Sequence, residues 1–322
     1  MNELRRHYFL GEWVIVARER GQRPDDFLKE KRVRREKRDC FFCPGNESKT
    51  PPEIARIEEN GKWIVRCFPN KFAATSSEDV DLSGDGFVKE SAYGRHEVVV
   101  ETPDHEKYLH ELSVEHLGKV VDMFAQRITN NLKDPKINYV LVFKNEGLEA
   151  GTSLEHSHSQ IVSLKKVPSR VTGEVECVKS YVKEKGTCPY CDIIKKELGG
   201  ERRIYSDDFF VVFAPFASRF PMQAEIVPKR HVRSLEDLNP VERLSLASII
   251  KKIETVLNTT LNFPPHNYYY HISPRGEDMH MHIEVCPRLA RWAGFELGSG
   301  IIINTMPPES AAEHYRKNIP HI

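Results

Sequence analysis

Residues 143–160 read Phe143-Lys-Asn-Glu-Gly-Leu-Glu-Ala-Gly-Thr-Ser-Leu-Glu-His-Ser-His-Ser-Gln160. A strand-like run, Tyr139-Val-Leu-Val-Phe143, leads into the segment, and it closes on the pair His156-Ser-His158. Working outward, a second pair, His280-Met-His282, follows a second strand-like run, Tyr268-Tyr-Tyr270. Ahead of each run lies a helix-like segment with its own cap. Ser113 precedes 114–133, and Asn239 precedes Pro240, with Glu242 three residues after the cap. Leu117, Val120, Val121, Phe124, Ile128 and Leu132 give the first segment one apolar stripe, which Asp134-Pro135 stops. Leu244, Ile249, Ile250, Ile253, Val256 and Leu257 supply the apolar positions of the second.

The parallel continues upstream. His105 stands eight residues before Ser113, and His231 eight before Asn239. Before them come β-like runs, His96-Glu-Val-Val-Val-Glu101 and Ala224-Glu-Ile-Val227, and before those Cys40/Cys43 and Cys188/Cys191. The offset is 126 for the single histidines and for the caps, 124 for the paired histidines and 148 for the cysteine pairs. Landmarks in one order at nearly one offset imply internal duplication. The expected class is α+β: two tandem halves, residues 1–170 and 171–322, each with antiparallel strands and one long helix. They join around 165–185, a polar stretch that reads as loop at its start.

Composition narrows the function. The chain has 322 residues, 47 basic and 47 acidic, so zero net charge argues against a general polyanion binder. Residues 29–38 carry seven positive charges but no aromatic to stack bases, so they read as a solvated loop and nucleic acid is not the expected partner. No run approaches the roughly 18 apolar residues of a membrane span. The opening MNELRRHYFL lacks an apolar signal core, so a cytoplasmic location is expected.

Two Cys-x-x-Cys pairs with distant histidines suit tetrahedral zinc, because one tight turn supplies two thiolates and the histidines complete the shell. The expected sets are Cys40, Cys43, His105 and His156, and Cys188, Cys191, His231 and His280, giving two structural zinc ions per chain. His96 competes with His105, but the parallel with His231 favours His105. Cys67, Cys177 and Cys286 read as buried, inert thiols. On a strand, alternate residues share a face, so His156 can bind metal while His158 reaches a substrate. Gly147 and Gly151 permit close backbone approach. Asn145, Ser153 and Gln160 are neutral donors suited to a phosphate.

With these motifs the chain resembles the galactose-1-phosphate uridylyltransferase family of the histidine triad superfamily. The likeness includes Arg20-Gly-Gln-Arg-Pro24, Cys40-Phe-Phe-Cys-Pro-Gly-Asn-Glu47, Phe68-Pro-Asn-Lys-Phe72, Pro103-Asp-His105, the Asn145 to Gln160 run and Gly294-Phe-Glu-Leu-Gly298. It implies two histidine triad-like halves, a homodimer, and ping-pong transfer of a nucleotidyl group between a nucleotide sugar and a hexose 1-phosphate. It also implies His158 as nucleophile, Gln160 and Ser153 as stabilisers of phosphoryl charge, and Arg20, Arg23, Asn70 and Asn145 as substrate contacts. The motif here is His-Ser-His-Ser-Gln rather than His-Pro-His-Gly-Gln, and Cys188/Cys191 stand where the best-known members use a glutamate with histidines. Both features resemble the adenylyltransferase branch, so transfer from ADP-glucose or a dinucleoside polyphosphate is the alternative. The second half lacks a glutamine two residues after His282, and is expected to be catalytically degenerate.

Overall fold

A computed structural model describes residues 2–17, 40–80, 82, 86 and 88–320. Strands β1 (Glu3–Arg6), β2 (Trp13–Val16) and β13 (Ile302–Asn304) form a small sheet that ties the two ends of the chain together, β13 pairing parallel to β2. The other ten strands form one sheet. The first half supplies β3 (Ala55–Glu59), β4 (Lys62–Pro69), β5 (Gly94–Val100), β6 (Tyr139–Glu146) and β7 (His158–Leu164). The second supplies β8 (Arg203–Ser206), β9 (Phe210–Phe213), β10 (Ala224–Pro228), β11 (His266–His271) and β12 (His282–Pro287). The order is β3-β4-β5-β7-β6-β11-β12-β10-β9-β8, with every pairing antiparallel. Each half thus repeats the other's arrangement, and they meet edge to edge at β6 and β11, where Asn145 opposes Asn267 and Val142 opposes Tyr270.

The strand period of two assigns the faces. One row across the sheet reads Glu97, Ile161, Val142, Tyr270, Ile283, Ile226 and Val212, all buried. All of them except Glu97 belong, with Ile128 and Ile253, to one core cluster under helices α1 (Val114–Leu132) and α4 (Pro240–Thr260), which also contact each other. A single core therefore spans the two halves. The neighbouring row, on the opposite face, reads Phe68, Val98, Gln160, Phe143, Tyr269, Glu284, Glu225 and Phe213. That face carries the chemistry.

Both long helices begin at the expected caps. The Ser113 side chain accepts from His116 N–H, and Asn239 accepts from Val241 and Glu242 in a full capping box. The joining stretch is irregular at its start, as read from sequence, and turns helical after Pro168. Ser169–Lys185 is helix α2, ended by Gly186 at φ +72°, and buries Val171, Glu174, Val175 and Val178. Its sparse apolar positions fall three and four residues apart, which is enough for a helix seated along one edge. Helix α3 (Pro189–Glu197) starts inside the second Cys-x-x-Cys, with Cys188 at its N-cap. Short α5 (Gly294–Ser299) and α6 (Pro308–Asn318) complete the chain.

Candidate active site

The first cysteine pair and its histidines converge. Cys40, Cys43, His105 and His156 are all buried, with ligand atoms close enough to hold one metal ion. Cys40 Sγ lies 3.4 Å from His156 Nδ1, Cys43 Sγ 3.5 Å from His105 Nδ1, and Cys43 Sγ 3.6 Å from His156 Nδ1. Tetrahedral zinc with ordinary Zn–S and Zn–N bonds requires S···N edges of about 3.5 Å, so the donors fit. His156 Nε2–H donates to the Thr102 carbonyl at 2.7 Å, which turns the Nδ1 lone pair toward the thiols. Cys188, Cys191, His231 and His280 form a looser and more exposed set, with Sγ···Nδ1 distances of 3.7–3.9 Å. His280 is oriented by Pro228 O at 2.9 Å and His231 by Asp278 at 3.0 Å.

Two residues beyond His156, His158 opens β7. Its Nδ1–H donates to the His156 carbonyl at 2.8 Å. Nε2 is left with its lone pair, and among the described residues nothing hydrogen-bonds it. Burial, aided by the Lys144 ammonium, lowers the His158 pKa, so the ring is neutral near pH 7. On the far side of the sheet, Lys144 Nζ donates to Glu101 Oε2 (2.6 Å), Ser157 Oγ (3.0 Å) and the His158 carbonyl (3.2 Å). Ser157 and Ser159 donate to the same carboxylate at 2.6 and 2.5 Å. This satisfied ionic network pins the strand that carries the ring.

His158 lines a cavity of about 330 Å³ together with Ser153, Gln160 and Asn70, walled by Phe41, Phe42, Phe68, Phe72, Val98 and Leu154, with Lys49 and Lys71 also on the lining. The Phe42 ring meets His158 edge-on at 5.2 Å. Aromatic walls, two cations and neutral donors around a free imidazole nitrogen suit a ligand with a flat ring and phosphates. Asn145 is not on that lining but lies on the same sheet face, on β6 beside β7. Gly151, at φ +94°, lets the connecting loop come near it: a Cβ there would lie 3.6 Å from Asn145 Nδ2.

In the second half, His282 has a different setting. Its ring stacks on His271 at 4.2 Å and on Tyr190 at 4.4 Å, and its Nε2 meets Glu174 at 3.2 Å. His7, Leu10 and Glu12 from the N-terminal segment help fill the small space in front of it. Glu174, His271 and His282 form a third buried group able to hold a metal ion.

The sequence family described as galactose-1-phosphate uridyl transferase, N-terminal domain, matches residues 1–168, and a domain of unknown function, DUF4921, matches 95–321. The ADP-glucose phosphorylase of Arabidopsis thaliana is 31% identical over 98% of this chain and 92% of its own length. The galactose-1-phosphate uridylyltransferase of Thermotoga maritima is 29% identical over 98% of each. A crystal structure of the Arabidopsis ADP-glucose phosphorylase with bound ADP-glucose superposes with a TM-score of 0.85 at 29% identity, covering 98% of this chain and 99% of that one. The chain belongs to the galactose-1-phosphate uridylyltransferase family.

As a member of that family it is a nucleotidyl-transferring enzyme with histidine triad-like halves. Of the residues singled out from sequence, the eight cysteines and histidines assemble as two groups of four, and His158, Gln160, Ser153 and Asn70 share one cavity. Arg20, Arg23 and the basic stretch 29–38 lie outside the described residues. His96 is absent from the first metal group and instead bonds Gln160 at 2.7 Å. Cys67 and Cys286 are buried, with thiol pKa values pushed upward mainly by that burial, but Cys177 is half-buried on the outer part of α2. Glu174 has no sequence signal: a lone carboxylate in a polar helix carries no motif. Lys49, Phe68, Lys71, Phe72 and Val98 join the lining without having been singled out as such, although Phe68 to Phe72 sits inside a family motif.

Proposed function

We propose that this enzyme is a galactose-1-phosphate uridylyltransferase, exchanging UDP-glucose and hexose 1-phosphate through a nucleotidyl group held on His158. The observation that carries the reading is the His158 ring: Nδ1–H held by the His156 carbonyl, Nε2 without a hydrogen-bond partner among the described residues, and a cavity of about 330 Å³ in front. Nε2 attacks the α-phosphorus of the nucleotide sugar. The N–P bond forms as the bridging P–O bond breaks, and its electron pair leaves with the hexose 1-phosphate. The incoming phosphate acceptor then displaces the ring in the reverse sense. Gln160 and Ser153 stabilise charge on the phosphoryl oxygens, with Asn70, Asn145, Arg20 and Arg23 as further substrate contacts. Residues 1–170 are the half that carries the nucleophile, and 171–322 the catalytically degenerate one.

Two zinc ions per chain have structural roles in this reading. Bound by Cys40, Cys43, His105 and His156, the first would cross-link the segments that flank the nucleophile, and Cys188, Cys191, His231 and His280 would hold the second. A cytoplasmic homodimer completes the assignment, and no helix among the described residues is long and apolar enough to cross a membrane.

A second reading, an ADP-glucose or dinucleoside polyphosphate adenylyltransferase or phosphorylase, is favoured by His-Ser-His-Ser-Gln at 156–160 and by the 31% identity to the Arabidopsis phosphorylase. Offering UDP-glucose and ADP-glucose separately and weighing the intact protein decides between them. A gain of one UMP supports the first reading and a gain of one AMP the second. No covalent gain from either donor would sink both.

A further inference from the structure

Two amide side chains on the cavity lining, Asn70 and Gln160, and a third on the neighbouring strand β6, Asn145, have their carbonyl oxygens engaged from within the protein. Asn70 Oδ1 accepts from Phe72 N–H at 2.9 Å. Gln160 Oε1 accepts from His96 Nε2 at 2.7 Å. Asn145 Oδ1 accepts from Asn267 Nδ2 at 2.9 Å.

The polarity of each bond traces back to a backbone group, which has no choice of role. Phe72 N–H can only donate, so Asn70 must turn its oxygen to it. Ala74 N–H donates to His96 Nδ1 at 3.1 Å, so the neutral ring carries its proton on Nε2, and Gln160 must present its oxygen there. Asn70 Nδ2 lies 3.2 Å from the same Nε2, and with that nitrogen protonated the Asn70 NH₂ has no acceptor in the ring. The Ala150 carbonyl can only accept. It takes a bond from Asn267 Nδ2 at 2.8 Å, so Asn267 turns its NH₂ edge toward this loop and Asn145 must offer oxygen. What remains of Asn70, Gln160 and Asn145 for a ligand is NH₂. A freely rotating amide would present oxygen to an anionic ligand in one of its two orientations, and repel it.

We infer that His96 and Asn267 are positioning residues that fix Gln160 and Asn145 as hydrogen-bond donors, making this site selective for a polyanion of phosphoryl oxygens. Asn267 lies on β11, so the second half contributes to the site of the first through the seam between β6 and β11. The inference deepens the nucleotidyl-transfer reading and rests on it for the identity of the ligand.

Double-mutant cycles on the full-length protein test it, read in two ways: the rate of nucleotidyl adduct formation from the nucleotide sugar that gives one, and the dissociation constant of the corresponding nucleoside diphosphate. A residue acting through Gln160 has nothing to act on once Gln160 is gone. His96→Ala should slow adduct formation and weaken diphosphate binding about tenfold, and His96→Gln, which restores a donor, should recover most of it. In a Gln160→Ala background the same His96→Ala change should cost less than about twofold. Asn267→Asp, which keeps the shape but replaces the donor with an acceptor, should lose as much as Asn145→Ala, and little more in its company.

Unchanged metal content and thermal midpoint in each variant show that the fold is intact. Additive losses in both cycles, or full retention in His96→Ala and Asn267→Asp, would overturn the inference. Failure of the nucleotidyl-transfer reading looks different. It appears as absence of any adduct in the unmodified protein, and the diphosphate-binding cycle still decides whether His96 and Asn267 set amide polarity.

Discussion

The two ends of one sheet face carry the same skeleton with opposite chemistry. Two residues beyond the second histidine of each pair, the first half has Gln160 and the second has Glu284. In the same row, Val98 lies next to Gln160, whereas Glu225 lies next to Glu284. The first half therefore sets apolar walls, neutral donors and two lysines, with no carboxylate on the lining among the described residues, around a ring whose Nε2 faces a cavity. The second is packed with ions: Glu284 pairs with Arg219 and with His271 at 3.1 Å, and His271 pairs with Glu174 at 3.1 Å. Burial opposes charge on His271, but the Glu174 and Glu284 carboxylates outweigh it and raise its pKa to about 9. Burial and the His271 charge push His282 down to about 3. Duplication thus preserved strand order and metal-type ligands, while the vacant space needed for a substrate lies in front of His158 and not of its counterpart His282.

The largest expected contrast follows from that space. His158→Ala should abolish the nucleotidyl adduct, because the attacking nitrogen is gone. His282→Ala should retain it, because that ring is sealed between His271, Tyr190 and Glu174. Intact mass after mixing with nucleotide sugar alone reads both. An adduct that persists in His158→Ala, or vanishes only in His282→Ala, would transfer the active site to the second half.

The metal-type groups should differ next. All four members of the first are buried, while the second includes exposed His231 and half-buried cysteines. Metal analysis of the purified protein should find close to two zinc per chain, and a chelator should strip the second group first. Cys40→Ser should cost on the order of 4 kcal/mol in unfolding free energy and also lower activity, since a structural metal's binding energy is folding energy and His156 adjoins the nucleophile. Cys188→Ser should cost about half as much and leave adduct formation largely intact. Equal losses from the two substitutions would contradict the difference in burial.

How far the sequence reaches is visible in the same comparison. The strand-like runs, the caps at Ser113 and Asn239 and the paired histidines are local signals, and they place β5, β6, α1, β10, α4 and β11 to within a few residues. The Cys-x-x-Cys pairs are equally local, and the parallel between the halves picks out the histidines that join them. What stays hidden depends on contacts across long separations. Glu174 reaches His271 and His282 only because α2 seats along the second half. His96 sits on a strand, where packing is the commoner reading for a histidine, and only the turn of Asn70 to Ala74 over it and the facing Gln160 reveal its partners. The single core, too, follows from the pairing of β6 with β11, for which neither strand carries a sequence mark.

Glu225 offers the smallest and most local test of the contrast. Burial, reinforced by the nearby Glu284 charge, raises its pKa to about 8, so the folded protein holds a neutral acid where the first half has Val98. In the unfolded chain the same carboxyl ionises near its ordinary value of about 4.3. Between those two values the unfolded state has released the proton and the folded state has not, so the unfolded state binds fewer protons and stability falls as pH rises. Below the window both states are protonated and above it both are ionised, and in neither range does this group add any slope. Glu225→Gln isolates the effect, because the amide copies the shape of the protonated acid and cannot titrate. Stability of the unmodified protein relative to Glu225→Gln should therefore decline between pH 5 and 8 by at most about 1.4 kcal/mol per pH unit, and level off beyond. Urea unfolding of both proteins at matched metal content measures the difference directly. A difference that stays flat across the window would mean that Glu225 is already ionised in the fold, and that the second half tolerates one more buried charge than its ion pairs can balance.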